Sequence, residues 1–158
     1  MSSNIQQIYT AHPAATLLST DLFYLGRSPY GSSDDFATTW NTIQSYIPGS
    51  IATEVTTTSA TLVPNQNFVA NNSSRVSLAL PTTAALGSII IIAGKGSGGW
   101  IITQSSGQQL IIGSASSTSG ATGTVASGNS RDTITLMCVT ANNIFQMISG
   151  VSSAYTIV

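Results

Sequence analysis

The feature of this sequence that most limits its fold is a texture of short β-branched runs broken by glycine, which begins near Val55. Ile89 to Ile92 is unbroken isoleucine, which suits a strand buried on both faces. In Arg75-Val76-Ser77-Leu78-Ala79-Leu80 the side chains alternate, so Val76, Leu78 and Leu80 share one face. Further strands are predicted over 61–69, 100–103, 109–112, 133–140 and 144–149. Short strands at such intervals point to an all-β sandwich, barrel or prism. Asn71-Asn72-Ser73-Ser74 and Gly94-Lys95-Gly96-Ser97-Gly98-Gly99 are predicted hairpin turns or loops. Ser114 to Ser130 is almost entirely Ser, Gly, Thr and Ala, and reads as a long surface loop or a segment pinned by neighbouring chains.

The first fifty residues read differently. Asp21 to Leu25 predicts a short strand. Phe36, Trp40, Ile43 and Ile47 fall at helical spacing and predict a helix over 34–47. Ser33 or Asp34 would cap it, Asp34 and Asp35 suit its positive end, and Pro48-Gly49 would stop it. One strand and one amphipathic helix cannot build a core of useful size, so residues 1–50 read as an adaptor that docks on something else. Residues 55–158 form the β domain.

Composition narrows the function. Only 6% of the 158 residues are charged, against about 25% in an average soluble domain. A neutral surface rich in hydroxyls does not repel copies of itself and suits packing into an assembly. Arg27, Arg75, Lys95 and Arg131 are scattered, which gives no basic stripe for nucleic acid or for an anionic membrane. The longest dense apolar run, Ile89 to Ala93, falls far short of the ~20 residues that span a bilayer. Met1-Ser2-Ser3-Asn4 does not start a signal peptide. Cys138, the single cysteine, lies in an apolar stretch and reads as a buried structural thiol.

Catalytic patterns are weak. His12 is the single histidine, and no Cys/His cluster offers a metal site. The glycine run lacks the Gly-x-x-x-x-Gly-Lys-Ser/Thr order of a phosphate loop, and a strand rather than a helix follows it. Asp34-Asp35 reads as a helix start, and Glu54 and Asp132 are the acids of the β domain. A glycosidase would need two acids flanking a sugar. No enzyme, cofactor or metal is expected. Trp100 and Tyr155 would suit stacking on sugar rings, although Trp100 fits the core beside Ile101 and Ile102 better. Asn142-Asn143 fits a turn between strands and, as exposed loop residues, a receptor contact together with Tyr155.

Two stretches carry a resemblance. Thr20-Asp21-Leu22-Phe23-Tyr24-Leu25-Gly26-Arg27, continuing through Asp34 to Trp40 and Ile47, resembles the N-terminal attachment module of phage fibre proteins. The stretch from Leu78-Ala79-Leu80-Pro81 through Gly87-Ser88-Ile89-Ile90 and Gly94 to Trp100, on to Gly107-Gln108, resembles a domain of tail-fibre and related virion proteins. The resemblance implies a homotrimeric tail-fibre or fibre-tip subunit in the virion, made in the host cytoplasm. Its N-terminal part would meet other tail or baseplate proteins through Phe36, Trp40, Ile43 and Ile47. Its β domain would meet a host-surface glycan or protein. The chain departs from typical fibres in having no shaft between anchor and tip. A non-adhesive decoration or baseplate protein, and a lectin-like domain, are the alternatives.

Overall fold

A computed structural model describes residues 22–26, 35–39, 42, 47, 51–152 and 154–158. The chain divides into two compact units, Met1–Gln44 and Ser45–Val158. In the first, β1 (Leu22–Gly26) pairs antiparallel with β2 (Asp35–Thr39), with Tyr24 opposite Ala37. This corrects the predicted helix over 34–47, because Asp35 to Thr39 is a strand. The helical spacing of Phe36, Trp40 and Ile43 competes there with β-favouring Phe36, Thr38 and Thr39, and the β1 partner supplies a complete ladder. Thr42 is helical and Ile47 lies in a bend, while Trp40 and Ile43 lie outside the described residues.

The second unit is built of rungs. β3 (Ile51–Val55) leads to β4 (Ser59–Thr61), β5 (Gln66–Ala70) to β6 (Val76–Ala79), and β7 (Ile89–Gly94) to β8 (Trp100–Thr103). The first strand of each pair joins a large sheet and the second joins a smaller one. Strands of successive rungs pair in parallel: β3 with β5 and β5 with β7 in one sheet, β4 with β6 and β6 with β8 in the other. The predicted single strand over 61–69 is therefore two strands in different sheets.

After β8 the ladder turns antiparallel. β12 (Thr133–Thr140) lies against β7 and forms a hairpin with β13 (Ile144–Val151). β9 (Gln109–Ile112) runs parallel to β13 and carries β10 (Ala115–Ser116). In the smaller sheet β11 (Thr124–Ala126) covers β8, and β14 (Thr156–Ile157) covers β11. The sheet orders are β10-β9-β13-β12-β7-β5-β3 and β14-β11-β8-β6-β4. The architecture is thus mainly β with two mixed sheets. The stretch 114–130, predicted as a loop, contains β10 and β11.

The core lies between the sheets, in columns that cross the rungs. Parallel register stacks side chains of one face directly over each other. In the large sheet Ile134, Ile92, Phe68 and Thr53 form one column. In the smaller sheet Val125, Ile102, Leu78 and Ala60 form another. The middle members are fully buried, each worth ~1.5–3 kcal/mol of apolar transfer. Toward β3 and β4 the columns end on an exposed Thr53 and a half-buried Ala60. Small and polar residues at a terminal rung keep its outer end compatible with water.

The chain changes sheet at stacked corners. Asn72 Oδ1 accepts from the Ser74 amide at 2.8 Å, and Asn72 Nδ2 donates to the Thr56 carbonyl of the rung before. Gly98 N donates to the Asn72 carbonyl at 3.0 Å. The glycine run 94–99 is therefore a corner between sheets and not a hairpin turn. A Cβ at Gly98 would stand 2.1 Å from the Ser74 backbone, and one at Gly96 would stand 2.3 Å from that of Asn72. Only hydrogen fits. We expect Gly98→Ala to destabilise the domain by about 2 kcal/mol, while exposed Ser97→Ala stays within about 0.5 kcal/mol of the parent. Denaturant midpoints of the two variants check this.

Candidate functional site

Gln108 organises one end of the β unit. It follows the turn between β8 and β9, and burial there forces its amide to find partners within the protein. Its Nε2 donates to the Pro81 carbonyl at 2.8 Å and to the Asn142 carbonyl at 3.0 Å, and its Oε1 accepts from the Ser105 amide at 2.8 Å. Both hydrogens and one oxygen lone pair are thus used.

Gln104, also buried, extends the network. Its Nε2 lies within bonding distance of the Gln108, Thr118 and Gly120 carbonyls, at 2.8, 3.0 and 3.1 Å. Its Oε1 accepts from the buried Ser117 hydroxyl, whose oxygen in turn accepts from the Leu110 amide at 2.9 Å. The Ser/Thr/Gly-rich stretch after β10 is thereby pinned by its own chain.

Asn142 sits at φ 67° in the turn of the β12–β13 hairpin, a left-handed geometry that Asn tolerates. Its amide donates to the Ala84 carbonyl and its Oδ1 accepts from the Ala84 amide, both at 2.9 Å. The neighbouring Asn143 carbonyl accepts from the Gln109 amide at 2.8 Å. Four loops, 81–88, 104–108, 117–123 and 141–143, are therefore bonded into one surface.

The exposed part of that surface includes Thr82, Thr83, Leu86, Ser106, Asn142 and Asn143. Leu86 is its apolar feature, 72% exposed. None of the four loops contains a charged residue or an aromatic ring. What this surface offers a ligand is hydroxyl and amide hydrogen bonding around one aliphatic side chain. That chemistry suits neutral polyhydroxylated or amide-bearing ligands and contains no group that transfers protons near neutral pH.

The remaining candidates lie elsewhere. Trp100 is fully buried, with its Nε1 donating to the Asp132 carbonyl at 2.9 Å. Tyr155 packs on it with ring centroids 6.0 Å apart and donates its hydroxyl to the Thr133 carbonyl at 2.6 Å. Burial, and secondarily the charge of Asp132, push the Tyr155 phenol above its ordinary pKa. The structure does not bring Tyr155 together with Asn142 and Asn143 through any of these bonds. Asp132 is buried, and its Oδ2 accepts from the Gly128 and Asn129 amides and from the Ser152 hydroxyl, at 2.7, 2.8 and 2.5 Å. This carboxylate fastens the 128–132 turn to the C-terminal segment.

Glu54 lies on the open rung. It accepts from Lys95 at 2.5 Å and from Asn71 at 2.9 Å, which links three successive rungs at an exposed edge. The Lys95 hydrogen bond, reinforced by its charge, holds the Glu54 carboxyl below its ordinary pKa. Among the described residues no three His, Cys, Asp or Glu side chains cluster as metal ligands. No helix among them is long and apolar enough to cross a membrane. Cys138 is buried, and its thiol points to the Thr140 carbonyl at 3.2 Å. Of the expected attachment face, Phe36 lies in β2 and Ile47 is 47% exposed, while Trp40 and Ile43, like His12, fall outside the described residues.

No protein-family model matches the chain, and no curated protein matches it significantly.

Sequence reasoning missed Gln104, Gln108 and Ser117. The available signal was a pair of glutamines bracketing the turn between two apolar strands, Gln104-Ser-Ser-Gly-Gln108. We expect Gln108→Ala to strand the Pro81 and Asn142 carbonyls and destabilise the domain by about 3 kcal/mol. The Ala84 and Asn142 amides should also exchange hydrogen faster, as measured by hydrogen–deuterium exchange.

Proposed function

We propose that this chain is a structural protein of a tailed bacterial virus, a fibre or fibre-tip subunit whose β domain meets the host surface through the four-loop cluster. The observation that carries the reading is a rigid, uncharged loop surface presented by a β scaffold. Binding loops commonly sit on rigid frameworks in this way. A surface held in advance by Gln104 and Gln108 loses little entropy when it takes a ligand. Asn142 and Asn143 provide its polar contacts and Leu86 its apolar one. The ligand class is a neutral region of a bacterial surface polysaccharide, recognised through hydroxyl and amide groups. Each contact is weak, and three copies in one particle would combine them through linked geometry.

The resemblance of 20–47 to fibre attachment modules supports the N-terminal unit as the part that meets the tail or baseplate. The β1–β2 hairpin found there replaces most of the strand–helix adaptor in this reading. Trp40 follows β2 directly and remains the preferred anchor.

Two measurements test the two halves. On an array of bacterial capsular and O-antigen polysaccharides, the purified protein should bind a subset, and Asn143→Asp with Thr83→Asp should abolish that signal without changing the thermal midpoint. No binding, or binding unaffected by the two substitutions, would leave a non-adhesive decoration protein as the better account. Trp40→Asp should leave the β domain folded and eliminate incorporation into virus particles in a complementation assay. Normal incorporation would reject the N-terminal anchor.

A further inference from the structure

The segment from Ser152 to Val158 crosses from one sheet to the other. β13 ends at Val151 in the large sheet, and β14 (Thr156–Ile157) forms an edge of the smaller one, paired with β11. No described residue of the segment is buried, although Tyr155 and Ile157 pack against the core. Its fastenings are few. Ser152 Oγ donates to Asp132 Oδ2 at 2.5 Å, the Tyr155 hydroxyl donates to the Thr133 carbonyl, and the Val158 amide donates to the Thr124 carbonyl at 3.0 Å. The Val158 carbonyl in turn accepts from the Thr124 amide at 3.2 Å and from the Thr118 amide at 2.8 Å. One strap thus joins the turn 128–132 to the loop 117–123 of the four-loop surface.

We infer that residues 152–158 are a strap that opens and closes as one unit on a β domain that stays folded. What the strap leaves behind is complete without it. Asp132 keeps the Gly128 and Asn129 amides on its carboxylate, so no buried charge is left unpaired when Ser152 departs. The Asp132 carbonyl stays bonded to the Gly94 amide and to Trp100 Nε1. β11 stays paired with β8 over three residues, and the Ser127 amide still donates to the Trp100 carbonyl. The groups freed on the strap itself, a phenol hydroxyl and the edge of a two-residue strand, go to water. Segments with little burial and exposed hydrogen bonds are the ones that open below the free energy of global unfolding. The seat is cut to the closed strap. A Cβ at Gly128 would stand 2.1 Å from the Ala154 carbonyl oxygen, and its three nearest neighbours would all be atoms of Ala154. Opening withdraws the Val158 carbonyl from Thr118 and so loosens loop 117–123 at the margin of the candidate site. This motion does not depend on which ligand that surface takes.

Native-state hydrogen–deuterium exchange on the full chain tests this. The Thr118, Thr124 and Val158 amides should share one opening equilibrium, roughly a hundredfold or more easier than that of the Leu80 and Cys138 amides, which donate to the Thr103 and Ser88 carbonyls away from the strap. Ser152→Ala removes the latch at one end. It should speed exchange of all three strap-bonded amides together by about tenfold, with Leu80 and Cys138 unchanged. Gly128 lies outside the left-handed region, so Gly128→Ala suits its own backbone and collides with the strap alone. That variant should lose protection at Thr118 and Thr124 while its cooperative melting persists. Exchange of all five amides through a single global transition overturns the inference. So does fraying, in which Val158 exchanges fastest and Ser152→Ala leaves Thr118 and Thr124 as they were. If either variant fails to fold, the exchange pattern of the native protein decides.

Discussion

Main-chain hydrogen bonding between successive rungs is the constraint from which the rest of this structure follows. Each parallel pairing fixes which side chains stand over which, so one register choice determines a whole column of the core. Because Phe68 aligns with Ile92, Val69 must align with Ala93 and face outward. The same ladder sets the corners. Once the rungs are spaced by strand pairing, Gly98 meets the backbone at Ser74, and the space left admits no side chain. Glycine is required there by the approach of one rung to the next and not by a left-handed backbone.

The ladder also explains why the loop cluster forms where it does. β12 runs against β7, so the end of β12 returns to the start of β7, and loops 81–88 and 141–143 become neighbours. β9 runs parallel to β13, which brings the turn before β9 to the same end. The carbonyls of these loops then need donors, and Gln104 and Gln108 supply them. A primary amide donates and accepts at once and does not titrate, so its bonding pattern is the same in acid and near neutrality. Buried charge would have introduced a pH dependence and a larger desolvation cost. The scarcity of charged residues in the sequence and the use of glutamine at this site reflect one physical preference.

Strands β6 to β9, β12 and β13 were legible because alternation and β-branched runs report the pleat directly, whereas the short β3, β4, β10, β11 and β14 were not. Val76, Leu78 and Ile90 declared their burial in this way. The parallel pairing was not legible, since a corner between sheets and a hairpin turn use the same Asn, Ser and Gly residues. Asn71–Ser74 shows the ambiguity: its Asx turn is local, but its direction depends on the rung beneath it. The helix over 34–47 failed for a related reason. Its apolar spacing is a property of the segment alone, whereas the strand at Asp35–Thr39 depends on partners from Gly26 back to Leu22. At the candidate site, Asn142 and Asn143 were legible as turn residues. The glutamines beneath them were not, because nothing in a sequence marks a polar side chain as buried.

Ile89 to Ile92 puts β-branched side chains on both faces of one strand. Four consecutive isoleucines suit a strand with apolar surroundings on both sides, and Ile90 and Ile92 are fully buried on the inner one. On the other side Ile89 and Ile91 are half-buried. The opposite sheet shows that the fold does not demand this. Its outer face places Ser77 and Ala79 on β6 and Ile101 and Thr103 on β8, and those strands pair just as well. Strand propensity alone would be met by threonine, which the smaller sheet uses at Thr61 and Thr103. Isoleucine at positions 89 and 91 therefore adds apolar transfer free energy in proportion to the area that each buries.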